Sequence, residues 1–298
     1  MIDPVAFEIG PLQLHWYGII IAGAVLIGGL LGTRVARWLN EDPDDGWAML
    51  LLVMILAVVG ARLYHVIHLW DYYVANPVLI PQIWEGGLGI PGGVAGGALG
   101  ILIATRSQGL HTARWMDIFA PALLLGQVIG RLGNFVNQEL YGPPTSLCGT
   151  EYPPCLPWGI PIDAAHRVAP WDAVTFPPES TTFVPLFAYE MVLNLIGMLV
   201  ILFIIRRFGP RLFAGDAVLM YIMWYGSVRT LLETYRVNNW TILGVPTAMW
   251  IGIIGVVLAA AWFWYRHRRG WGSPMIRPAD ERPAEADAPQ AQPEPSAG

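Results

Sequence analysis

Four arginines lie within or beside long apolar segments of the sequence, where a permanent positive charge is costly. They are Arg62, Arg131, Arg229 and Arg236. An ionisable side chain in or near the hydrocarbon of a bilayer usually faces an interior partner or a ligand, so each is a candidate functional residue. The structural alternatives are a guanidinium that reaches the membrane surface and a buried ion pair. For Arg62, one of these structural roles and a role in ligand binding are about equally expected.

The segment around Arg131 has a dense set of polar groups at a predicted membrane boundary. It runs from Gly130 to Gly142 and contains Gly133, Asn134, Asn137 and Glu139. Glycines let a backbone approach a lipid headgroup closely, while amides and carboxylates supply hydrogen bonds. A planar guanidinium binds a phosphate through two parallel hydrogen bonds and stays charged, so the pattern favours a phospholipid phosphodiester as the ligand.

A second polar group lies near the end of a later apolar segment. Arg229, Glu233 and Arg236 are spaced i, i+4 and i+7, which places them on one helical face. Glu233 could orient both guanidinium groups, or the three could form a structural triad that is satisfied within itself. Tyr17 and Tyr225 would add hydroxyl donors to a site, although tyrosine at a span end is more often an interfacial aromatic.

The composition and the apolar runs predict a polytopic membrane protein. The chain has 298 residues, of which 55% are hydrophobic and 13% charged. About 20 helical residues cross a hydrocarbon core of roughly 30 Å. Segments of that length cover approximately residues 14–38, 47–69, 88–105, 116–135, 183–207, 213–232 and 245–265. We therefore expect an all-α membrane helix bundle of about seven transmembrane helices, of which the glycine-rich third is the weakest.

Arginines near the predicted span ends indicate the orientation, because cytoplasmic flanks collect positive charge. They follow spans one, three, five and seven, at Arg34, Arg37, Arg106, Arg114, Arg206, Arg207, Arg211, Arg266, Arg268 and Arg269. This pattern predicts an N-terminus outside and a cytoplasmic C-terminus. Residues 137–182 then form a loop-rich extracytoplasmic head within a transmembrane domain of residues 1–269. Residues 270–298, rich in proline, alanine and acidic residues, are expected to be a disordered cytoplasmic tail.

The chain's two cysteines, Cys148 and Cys155, both fall in the predicted outer head. Disulfides persist in such a compartment, so a Cys148–Cys155 bridge and two unpaired thiols are about equally expected. Histidine or further cysteine partners at metal-ligand spacing do not accompany them, so the sequence indicates no metal site there.

The Arg131 segment resembles a motif of the prolipoprotein diacylglyceryl transferases and matches it at every fixed position from Gly130 to Gly142. Further agreement with that family lies at Trp16, Tyr17 and Gly18, at Tyr189 and Glu190 after Pro185, and at Tyr225, Gly226, Arg229, Glu233 and Arg236. The resemblance covers the seven predicted spans and leaves the outer head and the tail unmatched.

The resemblance implies a transferase of the bacterial plasma membrane. Such an enzyme moves the diacylglyceryl group of phosphatidylglycerol to the lipobox cysteine of a prolipoprotein signal peptide and releases glycerol phosphate, as the first step of lipoprotein maturation. It implies neither a metal nor an organic cofactor, and no nucleic-acid partner. The active site would lie toward the outer face, where precursor and lipid headgroup meet.

The resemblance also implies roles for individual residues. The catalytic set is Arg131, Arg229, Glu139 and Glu233, and the substrate-binding set is Tyr17, Arg62, Gly92, Gly93, Gly133, Asn134, Asn137, Gly142, Tyr225 and Arg236. One position departs from the family, because Pro91 stands where many members have a histidine that has been proposed as general base. Any protein base is therefore unassigned, and His15, His65, His68 and His166 are each weak candidates.

Two other classes compete with an enzyme. A transporter or channel for anions also carries buried arginines and a glycine-broken span, but it predicts internal repeats and arginines near the middle of the membrane. A non-catalytic assembly factor would have no use for the dense polar motif around Arg131.

Overall fold

The computed structural model describes residues 5–9, 12–236 and 240–278. The helices in these ranges are α1 (Trp16–Trp38), α2 (Pro43–His68), α3 (Trp70–Ala75), α4 (Ile90–Ser107), α5 (Thr112–Val136), α6 (Leu186–Phe208), α7 (Asp216–Glu233) and α8 (Thr247–Arg269). Two short antiparallel hairpins pair β1 (Val5–Ile9) with β2 (Leu12–His15) and β3 (Thr241–Ile242) with β4 (Val245–Pro246). The predicted all-α helix bundle is confirmed.

Five of the helices are long and apolar enough to cross a bilayer, namely α1, α2, α5, α6 and α8. The chain is therefore a multi-pass membrane protein. The other two predicted spans correspond to α4 and α7, which have 18 residues each and so extend about 27 Å. Glycines lower the hydropathy of α4, and α7 has an acidic residue at each end, so their crossing of the membrane stays a prediction.

The glycines that make α4 the weakest predicted span allow it to pack closely against α2. A Cβ added at Gly92 would collide with the carbonyl oxygen of Gly60, and one at Gly96 with that of Leu56. A Cβ at Gly100 would meet the backbone of Val53 at 2.8 Å. Residues spaced four apart lie on one helical face, so α4 presents a smooth stripe on which α2 packs at backbone distance.

Helix α5 lies at the centre of the bundle and contacts α1, α6 and α7. It runs antiparallel to α1, because a Cβ on Gly28 would approach Ala122 while Tyr17 lies against Gly133. Its contact with α6 includes Asn194, whose Nδ2 donates to Gln127 Oε1 at 3.2 Å. Because α5 carries the Arg131 motif near its C-terminal end, this position brings the motif close to three other helices.

The head between α5 and α6 is built from loops and short 3-10 turns around a small apolar core. That core consists of Tyr141, Ile162, Trp171 and Phe183. A disulfide joins Cys148 and Cys155, whose Cα atoms are 5.6 Å apart. Of the two alternatives left open by the sequence, the bridge is thus the one present.

Residues 271–278 are packed against the bundle, although the predicted disordered tail includes them. Met275 is fully buried and its N–H donates to Leu212 O at 2.9 Å. Arg277 Nη1 lies 3.1 Å from Glu41 Oε2. A compositional argument averaged over the whole tail overlooks these few apolar and basic residues, and residues 279–298 lie outside the described part of the chain.

Candidate active site

Arg131 projects from the last turns of α5 and is held on two sides. Its Nη1 donates to Asn134 Oδ1 at 2.8 Å, and its Nη2 donates to Glu190 Oε1 at 2.5 Å. Glu190, near the start of α6, is 4% exposed, whereas the Arg131 side chain is 18% exposed. The guanidinium is therefore fixed by a buried carboxylate, while part of the Arg131 side chain remains exposed.

Glu139 is connected to Arg131 through Asn134. Asn134 Nδ2 donates to Glu139 Oε1 at 2.9 Å, and Asn137 Nδ2 donates to the same oxygen at 3.3 Å. Asn134 is buried and Glu139 is exposed. Glu139 thus fixes the orientation of the amide that contacts Arg131, which fits the predicted orienting role.

The glycines of the motif make close contacts with neighbouring elements. A Cβ on Gly133 would collide with the ring of Tyr17 at the start of α1. Gly142 lies at the start of the head, where its N–H donates to Val184 O at 2.7 Å. Gly133 therefore seats Tyr17 beside the arginine motif, and Gly142 joins the motif to the chain that enters α6.

The second polar group lies at the C-terminal end of α7. Arg229 Nη2 is 2.9 Å from Glu233 Oε2, and Glu233 is 3% exposed. The backbone N–H of Arg236 donates to Glu233 O at 3.1 Å, and its side chain is half-buried. The i, i+4 pairing expected from the sequence is formed by Arg229 and Glu233.

The two polar groups converge around Tyr225 of α7. The Tyr225 hydroxyl is close enough to interact electrostatically with Glu190, Arg229, Arg131 and Arg236. Its ring stacks on that of Tyr221 one turn below, with centroids 5.8 Å apart. Residues from α5, α6 and α7 therefore form one cluster, which we call the arginine site.

An apolar cavity of about 480 Å³ lies between α1, α2, α4 and α5. Ile21 and Gly126 are among the residues that line it. A Cβ on Gly130 would lie 3.9 Å from Ile21 Cδ1, so the cavity wall reaches the residue next to Arg131. The cavity thus reaches the same turn of α5 but faces α1, whereas Arg131 faces Glu190 of α6.

Arg62 hydrogen-bonds to backbone carbonyl groups of the loop between α3 and α4. Its three nitrogens donate to four carbonyl oxygens, those of Leu79, Ile80, Gly86 and Gly87, at distances from 2.5 to 3.0 Å. The guanidinium also lies 5.2 Å from the centroid of the Tyr73 ring. With four of its five N–H groups so engaged, Arg62 fits the structural alternative better than a ligand role.

Gly92 and Gly93 lie on different faces of α4. Gly92 is in contact with Gly60 of α2, whereas Gly93 lines the apolar cavity. Only Gly93 is therefore placed beside a space that a ligand could enter. The preceding Pro91 occupies the first turn of α4, which suits its fixed φ and missing N–H.

The histidines considered as general base have contacts elsewhere. His65 packs edge-on against Tyr73, with ring centroids 5.9 Å apart, and His68 stacks on Tyr64 at 6.1 Å. His166 Nδ1 in the head lies 3.9 Å from Asp163 Oδ2, and His15 is exposed at the start of α1. Three of these histidines thus contact residues outside the arginine site and His15 is exposed, so the geometry supports none of the four as base.

Glu190 was not among the predicted site residues, although it provides the closest charged contact of Arg131. The available signal was an acidic residue within the first turns of a strongly apolar span, where a charge is as costly as the arginines. Its partner could not be identified from spacing, because the two residues are 59 positions apart and meet only when α5 and α6 pack.

Comparison with known proteins gives one consistent result. The matching family model is described as prolipoprotein diacylglyceryl transferase and covers residues 4–265. A protein from Chloroflexus aggregans named phosphatidylglycerol--prolipoprotein diacylglyceryl transferase is 36% identical over 284 residues, which is 90% of each chain. Relatives with the same name come from Leifsonia xyli subsp. xyli, 40% identical over 84% of this chain and 74% of that protein, and Streptococcus mutans, 35% identical over 90% and 96%.

Proposed function

Because the chain belongs to the prolipoprotein diacylglyceryl transferase family, we propose that it transfers the diacylglyceryl group of phosphatidylglycerol to the cysteine thiol of a prolipoprotein. It is a multi-pass membrane transferase that performs the first step of lipoprotein maturation. Family membership favours this function over the transporter and the assembly factor considered above.

The reaction replaces a carbon–oxygen bond by a carbon–sulfur bond. The sulfur of the precursor cysteine attacks the sn-3 glycerol carbon, and glycerol phosphate leaves with the bonding electron pair. The thiol proton passes to water or to a base that has not been assigned. Since a free thiol has a pKa of about 8.5, the site must favour the thiolate and stabilise charge on the leaving phosphate.

The charge balance of the arginine site is the observation that carries this proposal. Three guanidinium groups, from Arg131, Arg229 and Arg236, lie near two buried carboxylates, Glu190 and Glu233. Because the carboxylate of Glu139 is exposed, the buried and half-buried groups keep one positive charge in excess, which matches the single negative charge of a phosphodiester. Fixed charges in a water-poor site stabilise a developing anion strongly because they need no reorganisation.

We assign the electrostatic role to Arg131 and Arg229 and an orienting role to the carboxylates. Glu190 and Glu233 each hold one guanidinium directly, and Glu139 acts through Asn134. The apolar cavity between α1, α2, α4 and α5 is of a size that suits an acyl chain of the donor. The seating of Tyr17 over Gly133 and the position of Tyr225 support their role as hydroxyl donors at the same end.

We further propose that the site faces the outside of the plasma membrane, where the enzyme would meet its precursors. Arginines end the helices on the opposite side, for instance Arg37 of α1, Arg106 of α4 and Arg207 of α6. This distribution favours a cytoplasmic location for that side and for the C-terminus.

The decisive experiment measures transfer of labelled diacylglyceryl from phosphatidylglycerol vesicles to a lipobox peptide. We expect Arg131→Ala to lower the rate by about 100-fold or more, a typical cost of removing one fixed charge from a transition state. Arg106→Ala is the matched control, because Arg106 is exposed at the far end of α4. An Arg131→Ala rate close to that of the control would refute the role of Arg131, and a wild-type protein without transfer would refute the function.

A further inference from the structure

Two tyrosines connect the arginine site to the head. Tyr189 precedes Glu190 near the start of α6, and Tyr235 precedes Arg236 just after α7. The two side chains are near enough to interact electrostatically. Glu190 and Arg236 of the arginine site are therefore each next in sequence to a tyrosine that points toward the head.

Each tyrosine hydroxyl bonds to the backbone beside Cys155. Tyr235 Oη donates to Pro154 O at 2.8 Å, and Leu156 N–H donates to Tyr189 Oη at 3.1 Å. Residues 154 and 156 flank Cys155, so the two bonds attach α6 and α7 to opposite sides of one half-cystine.

The other half-cystine belongs to a segment that is anchored at the entrance to α6. Thr145 N–H donates to Thr182 O at 2.8 Å, and the two threonine hydroxyls are 2.8 Å apart. Cys148 N–H donates to Thr145 O at 3.3 Å. Since residue 182 is four positions before α6 at Leu186, Cys148 is tied to the chain that leads into that helix.

The disulfide also covers the apolar contact between the two helix ends. Val184 and Leu186 at the start of α6 pack with Val228 and Leu232 of α7, and both cysteines and both tyrosines border this cluster. A continuous path therefore runs from the start of α6 through Cys148, the disulfide and residues 154–156 to the end of α7.

We propose that the Cys148–Cys155 disulfide is a clamp that holds the outer ends of α6 and α7 in register for the reaction, with Tyr189 and Tyr235 as its positioning residues. This inference rests on the proposed function. The clamp fixes Glu190 relative to Arg236, Arg229 and Glu233, and thus sets where the leaving phosphate is held. An oxidising compartment keeps the bridge closed.

Steady-state transfer by the full-length protein in phosphatidylglycerol vesicles tests the clamp. The variants are Cys148→Ser/Cys155→Ser, Tyr235→Phe and the three substitutions combined. We expect each of the first two to lower kcat about tenfold, because small displacements of catalytic groups have large effects on rate. KM for phosphatidylglycerol should change less than about twofold, and the combined variant should be no slower than the slower of the two, since both break the same path.

Tyr152→Phe is the matched control, since Tyr152 lies inside the disulfide loop and its hydroxyl makes no hydrogen bond with residues of the described chain. Its kcat should equal that of the wild type. Reducing the wild-type protein should slow transfer, and reoxidation should restore it, while the serine variant responds to neither treatment. The acceptor thiol tolerates the reductant, so the treatment acts on the enzyme.

The outcomes separate the clamp from the function on which it rests. Normal wild-type transfer with an unchanged kcat in the serine variant would overturn the clamp alone. If the loss of kcat in the combined variant equalled the product of the two separate losses, the path through Tyr235 would be overturned. It would also be overturned if the losses disappeared when rates are normalised to folded protein. A wild-type protein without transfer would overturn both proposals.

Discussion

At the scale of single residues, the pairing of Arg131 with Glu190 decides how the guanidinium can act. A free arginine on a span end would sample many rotamers and hydrate readily, whereas a buried carboxylate at 2.5 Å leaves it one orientation. Glu190 engages Nη2 and Asn134 engages Nη1, and the buried Nε has no hydrogen-bond partner within the described chain. Glu190 thus neutralises part of the positive charge of Arg131 and at the same time fixes the orientation of its guanidinium.

Replacing Glu190 with Gln keeps the size of this side chain and removes its charge. We expect kcat to fall about 10- to 100-fold, because Arg131 loses its orienting partner. Glu139→Gln, which affects Arg131 only through Asn134, should have a smaller effect. Transfer rates of the two variants at equal amounts of folded protein check the order, and a Glu190→Gln rate equal to wild type would remove Glu190 from the site.

For Arg62 we expect the opposite result, a loss of stability without a loss of activity. Because its guanidinium bonds to four loop carbonyls, Arg62→Ala leaves four partly buried acceptors without donors, each at a cost of up to about 1–3 kcal/mol. We expect a lower midpoint of thermal unfolding in detergent and an unchanged rate per folded molecule. A normal midpoint with a raised KM for the lipid would instead restore the predicted substrate-binding role.

The residues of the site were predictable where their partners are local. The Arg131 to Asn134 and Arg229 to Glu233 contacts follow from helical spacings of three and four residues. The contact with Glu190 and the convergence around Tyr225 depend on how α5, α6 and α7 pack, which no local pattern encodes. The contacts of Arg62 with loop carbonyls could not be predicted either, because their partners are 17 to 25 residues away in the chain.

At the scale of elements, the predicted spans overlap the observed helices and differ mainly at their ends. Helix α2 begins four residues before the predicted start, because Asp42 Oδ1 caps it by accepting from Asp44 N–H at 2.9 Å and Pro43 follows. Helix α8 continues to Arg269, beyond the predicted residue 265, and Gly270 ends it with a left-handed conformation. A search for apolar segments locates the part of each helix that would cross the hydrocarbon core. Capping residues outside that part determine where the helix begins and ends.

The glycine stripe of α4 can be tested with adjacent positions. Gly96→Ala places a methyl group against the carbonyl oxygen of Leu56, so the backbones of α2 and α4 must separate. We expect a loss of about 1–3 kcal/mol in the free energy of unfolding, as for other overpacked interiors. Gly97→Ala is the control, since its nearest atoms would lie 3.8 Å away in ordinary contact.

Thermal unfolding in detergent micelles separates the two alanine variants. A drop in midpoint for Gly96→Ala with little change for Gly97→Ala would support the packing role. Equal midpoints would show that α2 and α4 can separate without cost.

At the scale of the whole molecule, the expected orientation can be examined with introduced thiols. The native cysteines are bridged, so they give little background. Val174 of the head is 91% exposed, and Ser107 is exposed at the end of α4. A membrane-impermeant maleimide should label Val174→Cys in intact cells and Ser107→Cys only after permeabilisation, and the reverse pattern would invert the predicted topology.

The C-terminal segment ties together parts of the molecule on the side away from the arginine site. Arg277 pairs with Glu41 between α1 and α2, and Glu41 Oε1 lies 2.6 Å from Arg114 Nη1 of α5. Met275 fills the core beside Leu212, ahead of α7. Residues 271–278 thus connect both halves of the bundle, which their sequence position alone does not reveal.

Truncation after Gly270 should therefore destabilise the protein more than truncation after Pro278, because only the first removes Met275 and Arg277. Loss of a buried methionine side chain alone costs about 2–5 kcal/mol, and Glu41 also loses one of its two partners. We expect a lower unfolding midpoint for the shorter chain, with the rate per folded molecule preserved because the arginine site lies at the other end of α5 and α7. Equal midpoints for the two truncations would show that the bundle holds together without this segment.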